Sequence, residues 1–299
     1  MALLDRAIVR VLPAVPRGLV RRLSARYIAG PTLDDAARVV RQLNAQGKLA
    51  TIDVLGEEIH DAAAAGDIAL AYHGVFARID DDRLDANVSI KLTALGLQLD
   101  ERLCRMHVEG LVRDARERGN FVRIDMEDSS TTDATLRLYH ELRTAGHDNV
   151  GVVLQARLRR TLADATGLRN VRLCKGIYLE PSTIAYQDAG EIRASFRETL
   201  TMLLDQGSYV GVATHDEALI QDALRQVRER GLTANRYEFQ MLLGVRPERA
   251  DELVGAGQRV RIYVPFGTHW YEYSLRRLQE NPAIAGYVAA DTVRRVRRR

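Results

Sequence analysis

Ionisable side chains interrupt several of the short apolar runs in this 299-residue sequence. Lys91 lies in one such run, Asp125 in another, and Arg172 and Lys175 in a third. A polar group inside a buried strand is costly unless it has a partner. Lysine is also rare here, because the chain has only three lysines and its other Lys/Arg cations are all arginine. A compact ammonium group that arginine cannot imitate is therefore predicted at Lys91 and Lys175, where it could bind a small anion.

Eight short runs rich in β-branched residues are the elements that could position these groups. They alternate with helical patterns such as Glu191–Gln206 and Glu217–Arg230, several of which end at a glycine. A strand followed by a helix, repeated eight times, predicts an α/β fold of the parallel (βα)8 barrel type. An open doubly wound sheet is the alternative, but no Gly-x-Gly-x-x-Gly follows any strand. The predicted strands are Ala50–Leu55, Val88–Leu92, Phe121–Met126, Val150–Gln155, Val171–Ile177, Tyr209–His215, Tyr237–Leu243 and Val260–Pro265.

The carboxyl ends of barrel strands carry the chemistry in such folds, and the unusual residues fall at these ends. Each one has a structural explanation of its own, such as a helix cap for Asp125 or a buried partner for His215. Their convergence on one face favours a functional site. They are Lys91 on the second strand, Asp125, Glu127 and Asp128 on the third, Gln155 on the fourth, Arg172, Lys175, Gly176 and Tyr178 on the fifth, Thr214, His215 and Asp216 on the sixth, Glu238 and Gln240 on the seventh, and Tyr263 on the eighth.

A helix after the eighth strand, at about 268–281, adds a second pattern. Tyr273, Arg276, Arg277 and Glu280 are spaced i, i+3, i+4 and i+7, which places them on one helix face. Two adjacent guanidinium groups can bind a carboxylate through paired hydrogen bonds. Adjacent arginines also occur elsewhere in the chain, so the position directly after the last strand is what makes this pair a candidate for the site.

The motifs exclude several reaction classes and leave two open. The sequence has no Gly-x-Ser-x-Gly, no His-Glu-x-x-His and no phosphate-binding loop with Lys-Ser/Thr. Cations beside the acidic residues disfavour a metal site. The residues alone indicate a barrel enzyme that acts on a small anionic metabolite. They leave open Schiff-base chemistry at Lys91 or Lys175 and redox chemistry by a bound cofactor.

Composition limits the other possibilities. A net charge of +3 disfavours nucleic-acid binding. The two cysteines, Cys104 and Cys174, form no disulfide framework and suit a cytoplasmic location. No apolar run approaches the ~20 residues of a membrane span. The composition of residues 1–30 predicts a basic helical arm, which packs on the barrel or lies on a membrane. The catalytic barrel domain is predicted at 31–299.

Eight motifs and the paired-arginine helix occur in the order typical of one enzyme family. Over roughly residues 45–281 the chain resembles the proline dehydrogenases, and most of all their small monofunctional bacterial form. The motifs are Asp53-Val-Leu-Gly-Glu, Ser89-Ile-Lys-Leu, Arg123-Ile-Asp-Met-Glu-Asp, Val153-Leu-Gln, Val171-Arg-Leu-Cys-Lys-Gly-Ile-Tyr, Ala213-Thr-His-Asp, Tyr237-Glu-Phe-Gln-Met-Leu-Leu-Gly and Arg261-Ile-Tyr-Val-Pro-Phe-Gly.

This resemblance implies a distorted barrel with additional N-terminal helices, a C-terminal lid helix, and FAD across the strand ends. The implied reaction is oxidation of L-proline to Δ1-pyrroline-5-carboxylate, with hydride passing from C5 of proline to N5 of the flavin. A quinone is the implied electron acceptor, so peripheral contact with the inner face of the membrane is an open expectation. The alternatives are another flavin barrel, similar to methylenetetrahydrofolate reductase, and a Schiff-base lyase that uses Lys91.

The resemblance also implies roles for individual residues. Lys91, Asp125 and Arg172 are the implied catalytic residues, with Asp125 paired to Lys91 and Arg172 near flavin N5. Ile177 departs from the family, which usually has alanine there, and we expect it to alter flavin packing. The implied substrate contacts are Lys91, Tyr178, Leu242, Tyr263, Tyr273, Arg276, Arg277 and Glu280. The implied FAD contacts are Asp125, Gln155, Arg172, Lys175, Gly176, Ile177, Thr214 and His215.

Overall fold

A computed structural model of the chain describes residues 26–56, 59–268 and 270. Its strands are β1 (Leu49–Val54), β2 (Ala86–Ile90), β3 (Val122–Ile124), β4 (Val150–Gln155), β5 (Asn170–Cys174), β6 (Tyr209–Ala213), β7 (Tyr237–Leu242) and β8 (Val260–Phe266). Each strand pairs in parallel with the next, and β8 pairs in parallel with β1. The predicted eight-stranded parallel barrel is therefore confirmed.

Helices cover the outside of this barrel, and five of them begin after a residue whose side chain caps the first turn. They are α1 (Leu33–Ala45), α2 (Ala62–Asp81), α3 (Glu101–Glu117), α4 (Thr132–Thr144), α5 (Thr161–Asp164), α6 (Ala189–Asp205), α7 (Glu217–Glu229) and α8 (Pro247–Gly255). Asp188 caps α6 by accepting hydrogen bonds from two backbone N–H groups of the first turn. Gly119 and Gly231 follow α3 and α7 with φ values of 63° and 59°, as predicted for helix-ending glycines.

The apolar core lies between the strands and the helices. On the outer face of the strands, side chains such as Ile52, Ile90 and Val152 are fully buried. They belong to one continuous cluster with helix residues that include Phe76 of α2 and Phe196 of α6. Since burial of each large apolar side chain contributes about 1.5–3 kcal/mol, this layer holds the strand ends in place.

The inner face of the barrel is polar instead. Barrel interiors of this type are usually filled by Val, Ile and Leu. Here Arg172 of β5 contacts residues of β2, β7 and the end of β3, which it can reach only across the inside of the barrel. A second buried ion pair joins Arg261 of β8 to Glu238 of β7, with Arg261 Nε 2.7 Å from Glu238 Oε1. The ionisable residues noted within the predicted strands therefore line the inside of the barrel.

Six strands (β1, β2, β3, β5, β6 and β7) end before their predicted carboxyl ends, and the early ends of β3 and β5 affect the candidate site. β3 ends at Ile124 rather than Met126, although Asp125 N still donates to Ile90 O at 2.8 Å. β5 ends at Cys174 rather than Ile177, because Gly176 has φ 90° and turns the chain away from the sheet. Both early ends release polar residues into the loops at this end of the barrel.

Only residues 26–30 of the predicted N-terminal arm are described. They form a turn and an irregular segment rather than a helix, and Ala29 N donates to Pro265 O of β8 at 2.9 Å. Ile28 also packs with Leu55 and Trp270 in a small separate cluster. This part of the arm therefore contacts the barrel beside the carboxyl end of β8. Among the helices in the described ranges, none has the length and apolar character to span a bilayer.

Candidate active site

The carboxylate of Asp125, directly after β3, is the centre of a buried polar cluster at the carboxyl end of the barrel. Its Oδ1 atom accepts hydrogen bonds from Arg172 Nη1 and Ser89 Oγ, both at 2.6 Å. Its Oδ2 atom accepts one from the Tyr263 hydroxyl at 2.8 Å and lies 4.0 Å from Lys91 Nζ. Four predicted site residues are thus brought within contact distance, together with Ser89, which was not predicted.

Lys91 pairs most closely with Asp53, and the expected pair with Asp125 is the longer of its two carboxylate contacts, at 4.0 Å. Lys91 Nζ donates to both carboxylate oxygens of Asp53, at 2.9 and 2.8 Å. The register explains this choice, because Asp53 of β1 lies opposite Ser89 of β2, two residues before Lys91. The two side chains therefore point to the same side of the sheet at neighbouring positions.

The ammonium of Lys91 stays protonated in this setting. Burial alone would lower its pKa, but attraction to Asp53, Tyr263 and Asp125 outweighs burial and raises the pKa well above the ordinary value. The Lys91 side chain is only 9% exposed and that of Asp53 is fully buried. A protonated amine has no lone pair for attack on a carbonyl group, so this geometry argues against Lys91 as a Schiff-base nucleophile.

A residue of the surrounding helix layer, Tyr72, contacts Asp53 and holds it in place. Tyr72 of α2 donates its hydroxyl hydrogen to Ser89 O at 2.6 Å and lies 3.2 Å from Asp53 Oδ1. The backbone N–H of Val54 donates to the same hydroxyl oxygen at 3.2 Å. Burial raises the pKa of Asp53, which the charge of Lys91 opposes. The fixed position of Asp53 in turn fixes the position of the ammonium group.

Arg172 crosses the barrel between three polar partners. Besides Asp125, its Nη1 atom donates to Ser89 Oγ at 3.0 Å and its Nε atom to Gln240 Oε1 at 2.5 Å. The guanidinium carbon lies 5.3 Å from the centre of the Tyr263 ring, a distance typical of a cation–π contact. With contacts on both edges and one face, the guanidinium group of Arg172 is held in one orientation.

The ends of β4, β5 and β6 present a second group of predicted residues. Gln155 is buried and donates from Nε2 to Glu127 O at 2.7 Å. Lys175, whose side chain is 43% exposed, lies 3.3 Å from Asp216 Oδ2. Thr214 is buried, and its hydroxyl oxygen accepts the N–H of Asp216 at 3.1 Å. This side of the barrel mouth therefore has exposed positive charge above buried amide and hydroxyl groups.

Gly176 leaves room between these strand ends. With φ 90° it adopts a conformation that favours glycine. A Cβ atom built there would lie 2.9 Å from Gln155 Oε1, closer than side chains normally approach. The chain can therefore pass directly over Gln155 only because this residue has no side chain.

His215, after β6, is a hydrogen-bond acceptor. Its Nε2 atom accepts the backbone N–H of Leu242 at 3.0 Å, so that nitrogen carries no proton. Burial, together with the nearby charges of Arg246 and Lys175, lowers the pKa of His215 to about 4. The imidazole ring is therefore neutral at physiological pH and ties β6 to β7.

The neutral state of His215 predicts a pH dependence of stability. Because its folded pKa lies below the unfolded value of about 6.5, the unfolded chain binds the proton first as the pH falls. We expect the free energy of unfolding to fall by about 2 kcal/mol more from pH 7 to pH 5 in the wild type than in His215→Gln. Chemical denaturation at the two pH values measures this difference, and equal losses in both proteins would contradict the assignment.

The remaining predicted residues fall into two groups. Tyr178 and Leu242 are half-buried near the strand ends, and the backbone carbonyl of Tyr178 accepts a hydrogen bond from Arg157 Nη1 at 2.7 Å. Ile177 is exposed, at 39%. The four residues of the predicted lid lie outside the described residues, namely Tyr273, Arg276, Arg277 and Glu280.

Two residues that contribute to the cluster had a signal in the sequence that was only partly used. Asp53 is a carboxylate inside the apolar run Ala50–Leu55, which is the same kind of signal that singled out Lys91. Gln240 is an amide in the apolar run of β7 and was noted only as a polar residue at a strand end. Tyr72 had no such signal, because its hydroxyl reaches the site from an ordinary amphipathic helix.

Comparison with known proteins gives one consistent result. The model of the family described as "Proline dehydrogenase" matches residues 36–290. Proline dehydrogenase 1 of Bacillus subtilis (strain 168) is 38% identical over 272 residues, which covers 89% of this chain and 90% of that protein. The proline dehydrogenase of Deinococcus radiodurans is 36% identical over 274 residues and covers 89% and 88%.

Solved structures support the same fold. Proline utilization A from Bdellovibrio bacteriovorus, in a crystal structure inactivated by N-propargylglycine, superposes with a TM-score of 0.82 at 23% identity. The match covers 91% of this chain but only 36% of that one, so the chain spans about a third of that protein. A Bradyrhizobium japonicum proline utilization A variant gives a TM-score of 0.73 at 21% identity and covers 90% of this chain.

Proposed function

Because the chain belongs to the proline dehydrogenase family, we propose that it oxidises L-proline to Δ1-pyrroline-5-carboxylate with FAD as the hydride acceptor. The observation that carries the proposal is the cluster around Asp125, in which Lys91, Arg172 and Tyr263 come together at the carboxyl end of the barrel. A protonated lysine beside a phenol and a guanidinium group suits a small amino acid that has an anionic end and an apolar ring.

On the substrate side, Lys91 binds the carboxylate of proline. Its bonds to Asp53 keep the ammonium in place before the substrate arrives, so little ordering is needed on binding. Arg276 and Arg277 complete the carboxylate site from the lid helix, with Glu280 paired to one of them. Side chains that offer an apolar or aromatic surface surround the ring. These are Tyr178, Leu242, Tyr263 and Tyr273.

The residues at the ends of β4 to β6 fit FAD. The side chains of Lys175 and Arg193 are 43% and 41% exposed and share Asp216 as a partner, which leaves positive charge available for phosphate groups. Gly176 lets the backbone pass close to Gln155, where a side chain would occupy the space. Arg172 lies between this side and the substrate side. The FAD-binding residues are Asp125, Gln155, Arg172, Lys175, Gly176, Ile177, Thr214 and His215.

FAD, when bound, would accept the hydride that leaves C5 of proline, while the ring nitrogen would release its proton to solvent as the C=N bond forms. The protein orients the ring, holds the carboxylate, and excludes water when the lid closes. Asp125 balances the charge of Arg172 in this site, while Asp53 holds the ammonium of Lys91 in place for the substrate carboxylate.

A quinone is the proposed final electron acceptor. The basic residues 1–25 and the arginine-rich end at 294–299, both outside the described residues, would supply electrostatic contact with an anionic membrane surface. In this arrangement the protein works in the cytoplasm and meets the inner face of the membrane only at its periphery.

The visible spectrum of the purified protein tests the proposed function. We expect the bands of oxidised flavin, and we expect them to bleach when L-proline is added without oxygen and to return when a soluble quinone is added. Pyrrolidine, which is proline without its carboxylate, is the matched control and should bleach the flavin far less at the same concentration. A colourless protein, or bands that L-proline leaves unchanged, would overturn the proposal.

A further inference from the structure

A chain of hydrogen bonds connects the middle of the barrel to the candidate active site. Arg261 Nε and Gln240 Nε2 both donate to Glu238 Oε1, at 2.7 and 2.6 Å. Gln240 Oε1 accepts from Arg172 Nε at 2.5 Å, and Arg172 continues the chain to Asp125. All five residues are at least nine-tenths buried. Gln240 is thus the only uncharged side chain among these five. It joins the Arg261–Glu238 ion pair to the Arg172–Asp125 ion pair.

The two neighbours of Gln240 leave its amide one orientation. Glu238 is an acceptor, because attraction and hydrogen bonds from Arg261 outweigh burial and lower the pKa of Glu238. Arg172 can only donate. The NH2 group of Gln240 must therefore face Glu238, and its carbonyl must face Arg172. A rotated amide would place NH2 against the guanidinium group and oxygen against the carboxylate, and each mismatch would lose a hydrogen bond to a buried charge.

Gly211 of β6 makes room for this amide. It lies beside both Arg172 and Glu238 in the strand register. A Cβ atom built on Gly211 would collide with Gln240 Nε2 and would lie 2.8 Å from its amide carbon. The missing side chain at position 211 is therefore what allows Gln240 to reach both partners.

We propose that Gln240 is a positioning residue, which holds the guanidinium group of Arg172 against Asp125 and in the orientation that the proposed hydride transfer needs. This inference rests on the proposed function, because the proposed function is what places a flavin beside Arg172. Gln240 acts through Arg172 and does not itself contact substrate. Gly211 contributes by leaving space for the Gln240 amide, and Glu238 contributes by fixing which end of that amide faces Arg172.

Gln240→Met tests the proposal in the flavin-loaded protein, because methionine fills the space but makes neither hydrogen bond. We expect the single-turnover rate of flavin reduction by L-proline to fall about tenfold to a hundredfold, since misplacement by about 1 Å can cost about 10²-fold. The dissociation constant for L-proline should change less than about threefold, because Lys91 and Asp53 are untouched. The midpoint potential of the flavin should also fall, since the cation would no longer be held in place.

Two alanine variants separate positioning from general damage to the barrel. Gly211→Ala puts a methyl group where the Gln240 amide lies, so it should reproduce the slower reduction and lower potential of Gln240→Met. Gly151→Ala is the matched control, since its Cβ would press on Asn170 O at 2.6 Å and on Arg123, away from Gln240. It should lower stability and leave the reduction rate within about twofold of the wild type.

The outcomes distinguish this inference from the proposed function. If L-proline fails to reduce the wild-type flavin, the proposed function fails. If the wild type is reduced but Gln240→Met matches it in rate and potential, Gln240 has no positioning role. A rate in Gln240→Met that falls only together with a large loss of proline binding would also overturn the inference, because it would mean general disruption. Should Gly211→Ala not fold, Gln240→Met alone decides.

Discussion

Replacing Lys91 with methionine is expected to lower the free energy of unfolding by about 3–5 kcal/mol and to weaken the binding of L-proline strongly. The substitution keeps the length of the side chain but leaves the carboxylate of Asp53 fully buried without its cation. Removal of one partner of a buried ion pair typically costs this much. Chemical denaturation measures the first effect, and titration of the flavin spectrum with L-proline measures the second.

A double variant separates the two roles of Lys91. In Lys91→Met with Asp53→Asn no buried charge lacks a partner, so we expect most of the stability to return while proline binding stays weak. Lys48→Met is the matched control at the opposite end of β1. Lys48 is buried, but its partner Asp251 is 62% exposed and remains solvated when the lysine is removed. Its loss should cost about 1 kcal/mol and leave proline binding unchanged. Normal proline affinity in Lys91→Met would remove Lys91 from the substrate site.

The second large effect is expected from Asp125→Asn. The carboxylate of Asp125 accepts hydrogen bonds on both oxygens, whereas an amide can accept on only one and must present NH2 to the other side. The charge that balances Arg172 is also lost. Since a hydrogen bond to a charged group contributes about 1.5–3 kcal/mol, kcat/KM for L-proline should fall by about one to two orders of magnitude.

Asp133→Asn is the appropriate comparison for this variant. Asp133 also pairs with an arginine, at 2.7 Å from Arg160 Nη1, but its side chain is 76% exposed. An exposed pair contributes little, so kcat/KM should stay at the wild-type value. If Asp125→Asn retained kcat/KM within about threefold, Asp125 could not be the centre of the site.

Much of the fold could be predicted because each signal is local. The bounds of β4 were predicted correctly, since Val150–Gln155 is an uninterrupted run with a helix on either side. The ends of β3 and β5 were predicted too late, because the apolar residues Met126 and Ile177 extended the predicted runs past Asp125 and Gly176. What ends β5 is the backbone conformation at Gly176, where the chain passes close to Gln155 of the preceding strand, β4.

The location of the site could be predicted, but its pairings could not. Parallel strands bring their carboxyl ends to one face, so Lys91, Asp125, Arg172 and Tyr263 were expected together. Which carboxylate binds Lys91 depends on the register between β1 and β2, and no single residue encodes that register. The pairings of the charged residues inside the barrel were not predicted either. A cation within a strand shows that it needs a partner, but it does not identify that partner.

The charged lining of the barrel limits how this sequence can diverge. A single change at Glu238 or Arg261 leaves its buried partner without the opposite charge, and a loss of about 3–5 kcal/mol is a large part of a typical stability of about 5–15 kcal/mol. Substitutions at these positions must therefore occur in compensating pairs. The residues that line the barrel are thus expected to change together rather than one at a time.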